Sequence, residues 1–133
     1  MEGLLLPRSV EEIEAAIEDY VVVVDTHERV RGCAALLSYS PSLAEVASVA
    51  VDRTAQGQGL GGLLVLGVEA IARRRGHREV FALTLAREFF ASLGYVEADL
   101  TSYPEKIARY EQLADRGVQV IPKDCVRKLL GAR

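Results

Sequence analysis

Between Asp52 and Gly62 the chain reads D-R-T-A-Q-G-Q-G-L-G-G, a polar turn leaving an apolar strand and entering a helix. A turn of this kind holds anions. The first turn of a helix leaves N–H groups without intrahelical partners, and the aligned peptide dipoles add roughly half a positive charge there. Backbone alone can therefore bind a pyrophosphate, and glycines keep side chains out of its way. An ATPase-type phosphate loop needs Lys and then Ser or Thr after its last glycine, whereas Gly61 is followed by Gly62 and Leu63. That reading is excluded. Gly57, Gly59 and Gly62 match the dinucleotide fingerprint G-x-G-x-x-G, but Asp52 to Gln56 separate them from the strand, and the next strand ends at Leu83 and Thr84 without an acid for ribose. These departures count against a dinucleotide, which stays as an alternative beside a tight helix entry with no ligand and a pyrophosphate loop of another kind.

The elements around the turn follow from periodicity. Ser9 and Glu12 form a capping box, with Val10, Ile13, Ile17 and Tyr20 at helical spacing behind it. Val21–Val24 and Val30–Tyr39 read as antiparallel strands joined at His27–Arg29, and Glu45–Val51 as a third strand buried in the middle of a sheet. Leu60, Leu63, Leu64, Val68 and Ile71 keep a 3.6 period that Gly76 ends. Val80–Leu83 is a strand, Arg87–Leu93 a short helix, Tyr95–Ala98 a strand, and Pro104 opens a helix to about Ala114. The last strand is either Val118–Ile121 or Cys125–Leu130. This order predicts an α/β or α+β domain with a mixed sheet, and residues 1–133 as a single domain.

Composition narrows the class. Half of the residues are apolar and a quarter charged, and no run approaches the ~18 apolar residues of a membrane span. The first residues carry no secretory leader, which makes the cytoplasm the expected compartment. A net charge of −3 with interspersed signs leaves no basic face for nucleic acid. Arg73–Arg75, the densest basic cluster, complements a helix dipole. Cys33 and Cys125 lack metal-ligand spacing and read as buried thiols; His27 and His77 read as surface residues. No metal is expected.

The strand V-A-V at Val49–Val51, a short loop and Q-x-x-G-x-G at Gln56–Gly61 resemble the coenzyme A motif of the GNAT superfamily of acetyl-CoA-dependent N-acetyltransferases. Further segments widen the likeness: G-L-L-L-P-R-S at Gly3–Ser9, G-C-A-A-L at Gly32–Leu36, A-E-V-A-S-V-A-V at Ala44–Val51, F-F-A-S-L-G-Y at Phe89–Tyr95 and Y-P-E-K at Tyr103–Lys106. Together they resemble the acetyltransferase domain of N-acetylglutamate synthases, which acetylate the α-amine of glutamate to begin arginine synthesis. The resemblance implies a GNAT-like mixed sheet flanked by helices that splays after the V-A-V strand. Against that resemblance, the sequence starts too late to hold the strand and helix that usually precede L-P-R-S, so either its start is truncated or another segment is expected to fill that edge, and it leaves no room for the synthases' amino-acid kinase domain.

It also implies roles. Backbone groups of Val49 and Val51 would bond the pantetheine arm of acetyl-CoA, and Gln56, Gly57, Gln58, Gly59, Leu60, Gly61 and Gly62 would hold its pyrophosphate. Glu45, read as sharing a face with Ala47, Val49 and Val51, would be the general base, a carboxylate in an apolar site being suited to take the amine's proton. The alternative is a strand-end glutamate in solvent or paired with an arginine. Arg8 would meet the substrate carboxylates through its planar fork, or stand solvated before the helix. Lys106 and Arg116 are further cationic candidates or solvated charges. Phe89 and Phe90 stand where many relatives carry a tyrosine acid. The expected acceptor is a small amine, glutamate first; a polyamine, drug amine or protein lysine, or a module without activity, are the alternatives. An uncovered sheet edge allows a homodimer.

Overall fold

The computed structural model describes residues 17–115 and 123–131. Six strands form one sheet in the order β1-β2-β3-β4-β6-β5: β1 Tyr20–Val24, β2 Val30–Ser38, β3 Leu43–Val51, β4 Glu79–Thr84, β5 Val96–Glu97 and β6 Asp124–Leu129. Of the pairings, β3 with β4 is parallel and the others are antiparallel. The helices are α1 Leu60–Arg74, α2 Arg87–Ser92 and α3 Pro104–Asp115. A parallel pair needs a crossover, and α1 supplies it. Among the described residues no helix is long and apolar enough to cross a membrane.

Each face of the sheet has its own apolar cluster, as strand alternation demands. On one face α1 lays Leu64, Val65, Val68 and Ala72 against Ala34, Leu36, Val46, Val80, Ala82 and Val126. On the other, Phe81 stacks on Tyr103 with centroids 4.2 Å apart, beside Cys125, Tyr39 and Leu43. A buried polar knot ties α1 to the far half of the sheet. Glu69, fully buried, accepts from Lys128 Nζ at 3.0 Å and from the Tyr95 hydroxyl at 2.8 Å. Burial and the Glu69 charge push the Tyr95 hydroxyl far above its ordinary value of 10.

Several sequence expectations are corrected. Tyr20 opens β1, and Ile17–Asp19 forms a 3-10 turn; the rest of the expected first helix lies outside the described residues. The fifth strand shrinks to Val96–Glu97 because Tyr95 turns into the core, its ring edge-on to Phe90. Of the two candidates for the last strand, Cys125–Leu130 corresponds to β6, and Val118–Ile121 lies outside the described residues. His77 is buried, its Nε2 3.1 Å from the Ser38 hydroxyl, so it is not a surface residue. Cys125 is buried, but Cys33 is only partly so. The Arg73–Arg75 cluster makes specific contacts: Arg75 pairs with Asp19 at 2.6 Å, and Arg73 donates to the Leu130 carbonyl at 3.4 Å.

Candidate functional site

The site begins where β3 and β4 part. Their ladder holds three pairs, Leu43 with Glu79, Ala44 with Val80 and Glu45 with Phe81, and then stops, although β3 runs on to Val51 and β4 to Thr84. The fork therefore opens at Glu45, earlier than the expected splay after the V-A-V strand. Beyond it, among the described residues, no strand pairs with the edge of β3 that faces β4.

A bulge shapes that edge. Cys33 pairs with Ala50 and Ala35 with Ala47, so two residues of β3 oppose one of β2. Ser48 sits in the bulge with φ +56°, a left-handed conformation rare for a side-chain-bearing residue. The Cys33 thiol donates to the Ser48 carbonyl at 3.7 Å, and burial raises that thiol above its ordinary value. The extra residue reverses the alternation. Val49 and Val51 pack into the α1-side cluster with Ala44 and Val46, so Glu45 does not share their face. Strict period-two reading could not detect this.

At the end of β3 the turn is built before it reaches the glycines. The Asp52 carboxylate accepts from the Thr54 N–H at 2.9 Å and its hydroxyl at 2.8 Å, which hold Asp52 below the usual carboxylate range. Gln56 Nε2 donates to the Val51 carbonyl at 3.2 Å, so its side chain braces the turn. Gly57 and Gly59 have φ +86° and +78°, and neither would crowd a neighbour with a Cβ; backbone handedness is what selects glycine there. Gly59 caps α1 without a side chain, and the first bond of the helix runs from the Leu63 N–H to the Gly59 carbonyl. The amides of Leu60, Gly61 and Gly62 thus precede the helical ladder. Gly61 differs from these two, because a Cβ there would lie 3.2 Å from the Phe89 ring. Its smallness lets α1 and α2 approach.

A cavity of about 310 Å³ lies over this turn, walled by Val49, Val51, Leu60 and Phe89 and floored by the glycines. An apolar wall, an unpaired strand edge and uncapped helical amides suit a ligand with an extended polar arm and a diphosphate. The residues present thus fit coenzyme A. Val49, Val51, Gln56, Gly57, Gly59, Leu60, Gly61 and Gly62 all border this cavity. Gln58 is exposed in the same turn.

On the opposite face, Glu45 is buried at the fork. Its Oε1 lies 2.9 Å from Lys106 Nζ and accepts from the Tyr39 hydroxyl at 2.7 Å. Lys106 is itself only 3% exposed. Glu45 is thus not a solvated strand end, and among the described residues its cation is a lysine in place of the expected arginine. Lys123, at the start of β6, is held below the ordinary lysine value by burial and then by the nearby Lys106 charge. Tyr39, Ser48 and Lys123 were not singled out from the sequence. Nothing in local spacing joins Tyr39 or Lys123 to Glu45, and the bulge at Ser48 has no sequence mark. Arg8 and Arg116 lie outside the described residues.

Residues 4–95 match the model of the acetyltransferase (GNAT) family. The chain is 43% identical over 108 residues to an uncharacterized N-acetyltransferase of Chlorobaculum tepidum, covering 81% of this chain and 69% of that protein. It is 33% identical over 107 residues to the amino-acid acetyltransferase of Pectobacterium atrosepticum, covering 79% of this chain but only 24% of that protein. Its fold superposes with a TM-score of 0.83, at 29% identity, on N-acetylglutamate synthase from Neisseria gonorrhoeae complexed with coenzyme A and N-acetyl-glutamate, covering 98% of this chain and 30% of that one. The forked sheet, the glycine turn and the family match over residues 4–95 agree: the chain belongs to the acetyltransferase (GNAT) family.

Proposed function

We propose that this chain, acting as one domain, transfers an acetyl group from acetyl-CoA to the α-amine of an amino acid, glutamate first. The observation that carries the transferase reading is the fork, an internal strand edge ending in uncapped helical amides. The turn from Gln56 to Gly62 binds the pyrophosphate, and Val49 and Val51 offer backbone groups to the extended arm. Bound there, acetyl-CoA supplies an activated acyl group. A β3 amide near the bulge donates to the acyl oxygen as charge develops on it. Glu45 takes a proton from the acceptor ammonium, freeing the nitrogen lone pair to form the C–N bond while the C–S bond breaks. Phe89 and Ala86 border the cavity where a hydroxyl acid would stand, so the second proton, which the nitrogen loses as the amide forms, passes through water to the departing sulfur.

The amino-acid acceptor is supported by similarity to the Pectobacterium enzyme and the Neisseria synthase, and by two lysines, Lys106 and Lys123, facing one carboxylate at the fork. Arg8 and Arg116 remain candidates for the substrate carboxylates. A second reading rests on an open groove of about 530 Å³ whose rim includes Glu97, Asp99 and Asp124, which would suit a cationic amine. Incubating the protein with acetyl-CoA and a panel of glutamate, glutamine, other amino acids, spermidine and a lysine peptide, following thiol release, separates these readings. Turnover greatest with glutamate is expected. Preference for spermidine or the peptide selects the second reading, and silence with every amine removes the enzyme assignment.

A further inference from the structure

The two oxygens of Glu45 stand in different surroundings. Oε1 takes both the Tyr39 hydroxyl and the Lys106 ammonium, and among the described residues no hydrogen bond or ion pair falls on Oε2. The partners come from separate places in the fold, Tyr39 from the residue after β2 and Lys106 from the first turn of α3. Among the described residues, the other charged or titratable groups facing Glu45 are Lys123 and Cys125 on the β6 side. The residues paired with it in β2 and β4, Leu37 and Phe81, carry no charge.

We propose that Lys106 and Tyr39 are positioning residues that keep Glu45 ionised and, by holding Oε1, commit Oε2 to the acceptor ammonium at the fork. This rests on the proposed role of Glu45 as base, and it gives Lys106 a task other than meeting a substrate carboxylate. A carboxylate held at one oxygen cannot rotate to present either, so the second oxygen meets the amine in one geometry. The proton passes from the ammonium nitrogen to Oε2, leaving the nitrogen lone pair for attack, and Glu45 later returns that proton to water.

The test compares Glu45→Gln, Lys106→Met, Lys106→Arg and Tyr39→Phe in the full chain, with acetyl-CoA and the best amine of the panel. Lys106→Met is expected to lower kcat by about 10-fold or more and to move the acidic limb of the kcat/KM profile upward by about one pH unit, because a buried carboxylate without its cation protonates more readily. Lys106→Arg should restore the limb, and Tyr39→Phe should move it the same way by less. Acetyl-CoA affinity should hold in all four. If Glu45→Gln impairs kcat while Lys106→Met keeps the wild-type limb, the positioning role is wrong and Glu45 still serves as base. Raised acceptor KM in Lys106→Met with an unmoved limb would instead make Lys106 a substrate contact. A fully active Glu45→Gln removes the base itself, and this inference with it. Should Lys106→Met fail to fold, Tyr39→Phe decides, since it deletes one hydroxyl, and an unmoved limb there overturns the proposal.

Discussion

Sealing a carboxylate and an ammonium together costs each its hydration, and the pair survives because each meets the other at hydrogen-bond distance. Glu45→Leu alone should therefore destabilise the protein by about 3 to 5 kcal/mol, because it removes the carboxylate that stands 2.9 Å from the buried Lys106 ammonium. Glu45→Leu with Lys106→Met should recover most of that loss, read from urea midpoints. Glu45→Gln keeps the shape and should lower kcat on the order of 10², with the deficit shrinking at high pH as more amine is already free. An unaltered pH-rate profile would make Glu45 structural. His77 gives a second pH signature. Burial and then the Arg75 charge hold it below its ordinary 6.5, so the folded state binds fewer protons than the unfolded chain. Its contribution to stability is present above pH 6.5 and is lost as pH falls below it toward the lowered folded value. Replacing His77 with Asn should flatten that acid limb of the stability curve; an equally steep limb would exclude His77 as its source. Sequence alone marked Glu45 as a strand residue beside a ligand loop, but its cation is on a distant helix, and long-range charge pairs leave no trace in local spacing.

Secondary structure was more legible than the irregularities that make it useful. Val30–Ser38, Leu60–Arg74 and Glu79–Thr84 follow from apolar runs, a 3.6 period and a terminal glycine. The bulge at Ser48 does not, because small and apolar residues continue on both faces through it and only the pairing with β2 exposes the extra residue. Ser48→Val should cost about 1 to 2 kcal/mol for a β-branched residue in a left-handed conformation, while Ser48→Gly should be neutral or stabilising. If Ser48→Val melts with the wild type, the bulge is not strained. Gly61→Val tests the contact of α1 with α2. It should weaken acetyl-CoA binding about 10-fold or more by displacing Phe89 and obstructing the turn, with only modest loss of stability. Unchanged affinity by calorimetry would misplace the coenzyme site.

At the scale of the molecule the sheet is two halves, β1–β3 and β4–β6, joined by three residue pairs and by α1 lying across one face. The knot of Glu69, Lys128 and Tyr95 fastens α1 to the second half. Lys128→Met should leave Glu69 buried without its nearest cation and cost about 3 kcal/mol or more, lowering the melting temperature. A loss below 1 kcal/mol would show that Arg73, 3.8 Å from Glu69, compensates.

The fork has one more consequence, and it concerns what the protein avoids. Unpaired strand edges recruit other strands, and an open one invites aggregation. Here the edge of β3 beyond Glu45 faces inward across a gap whose far wall is the protein's own β4. A second sheet is too thick to enter such a crevice, whereas a single extended chain of atoms is not. The same unsatisfied backbone that would be a hazard on an outer edge thus acts as a sieve, admitting slender molecules and turning away folded neighbours.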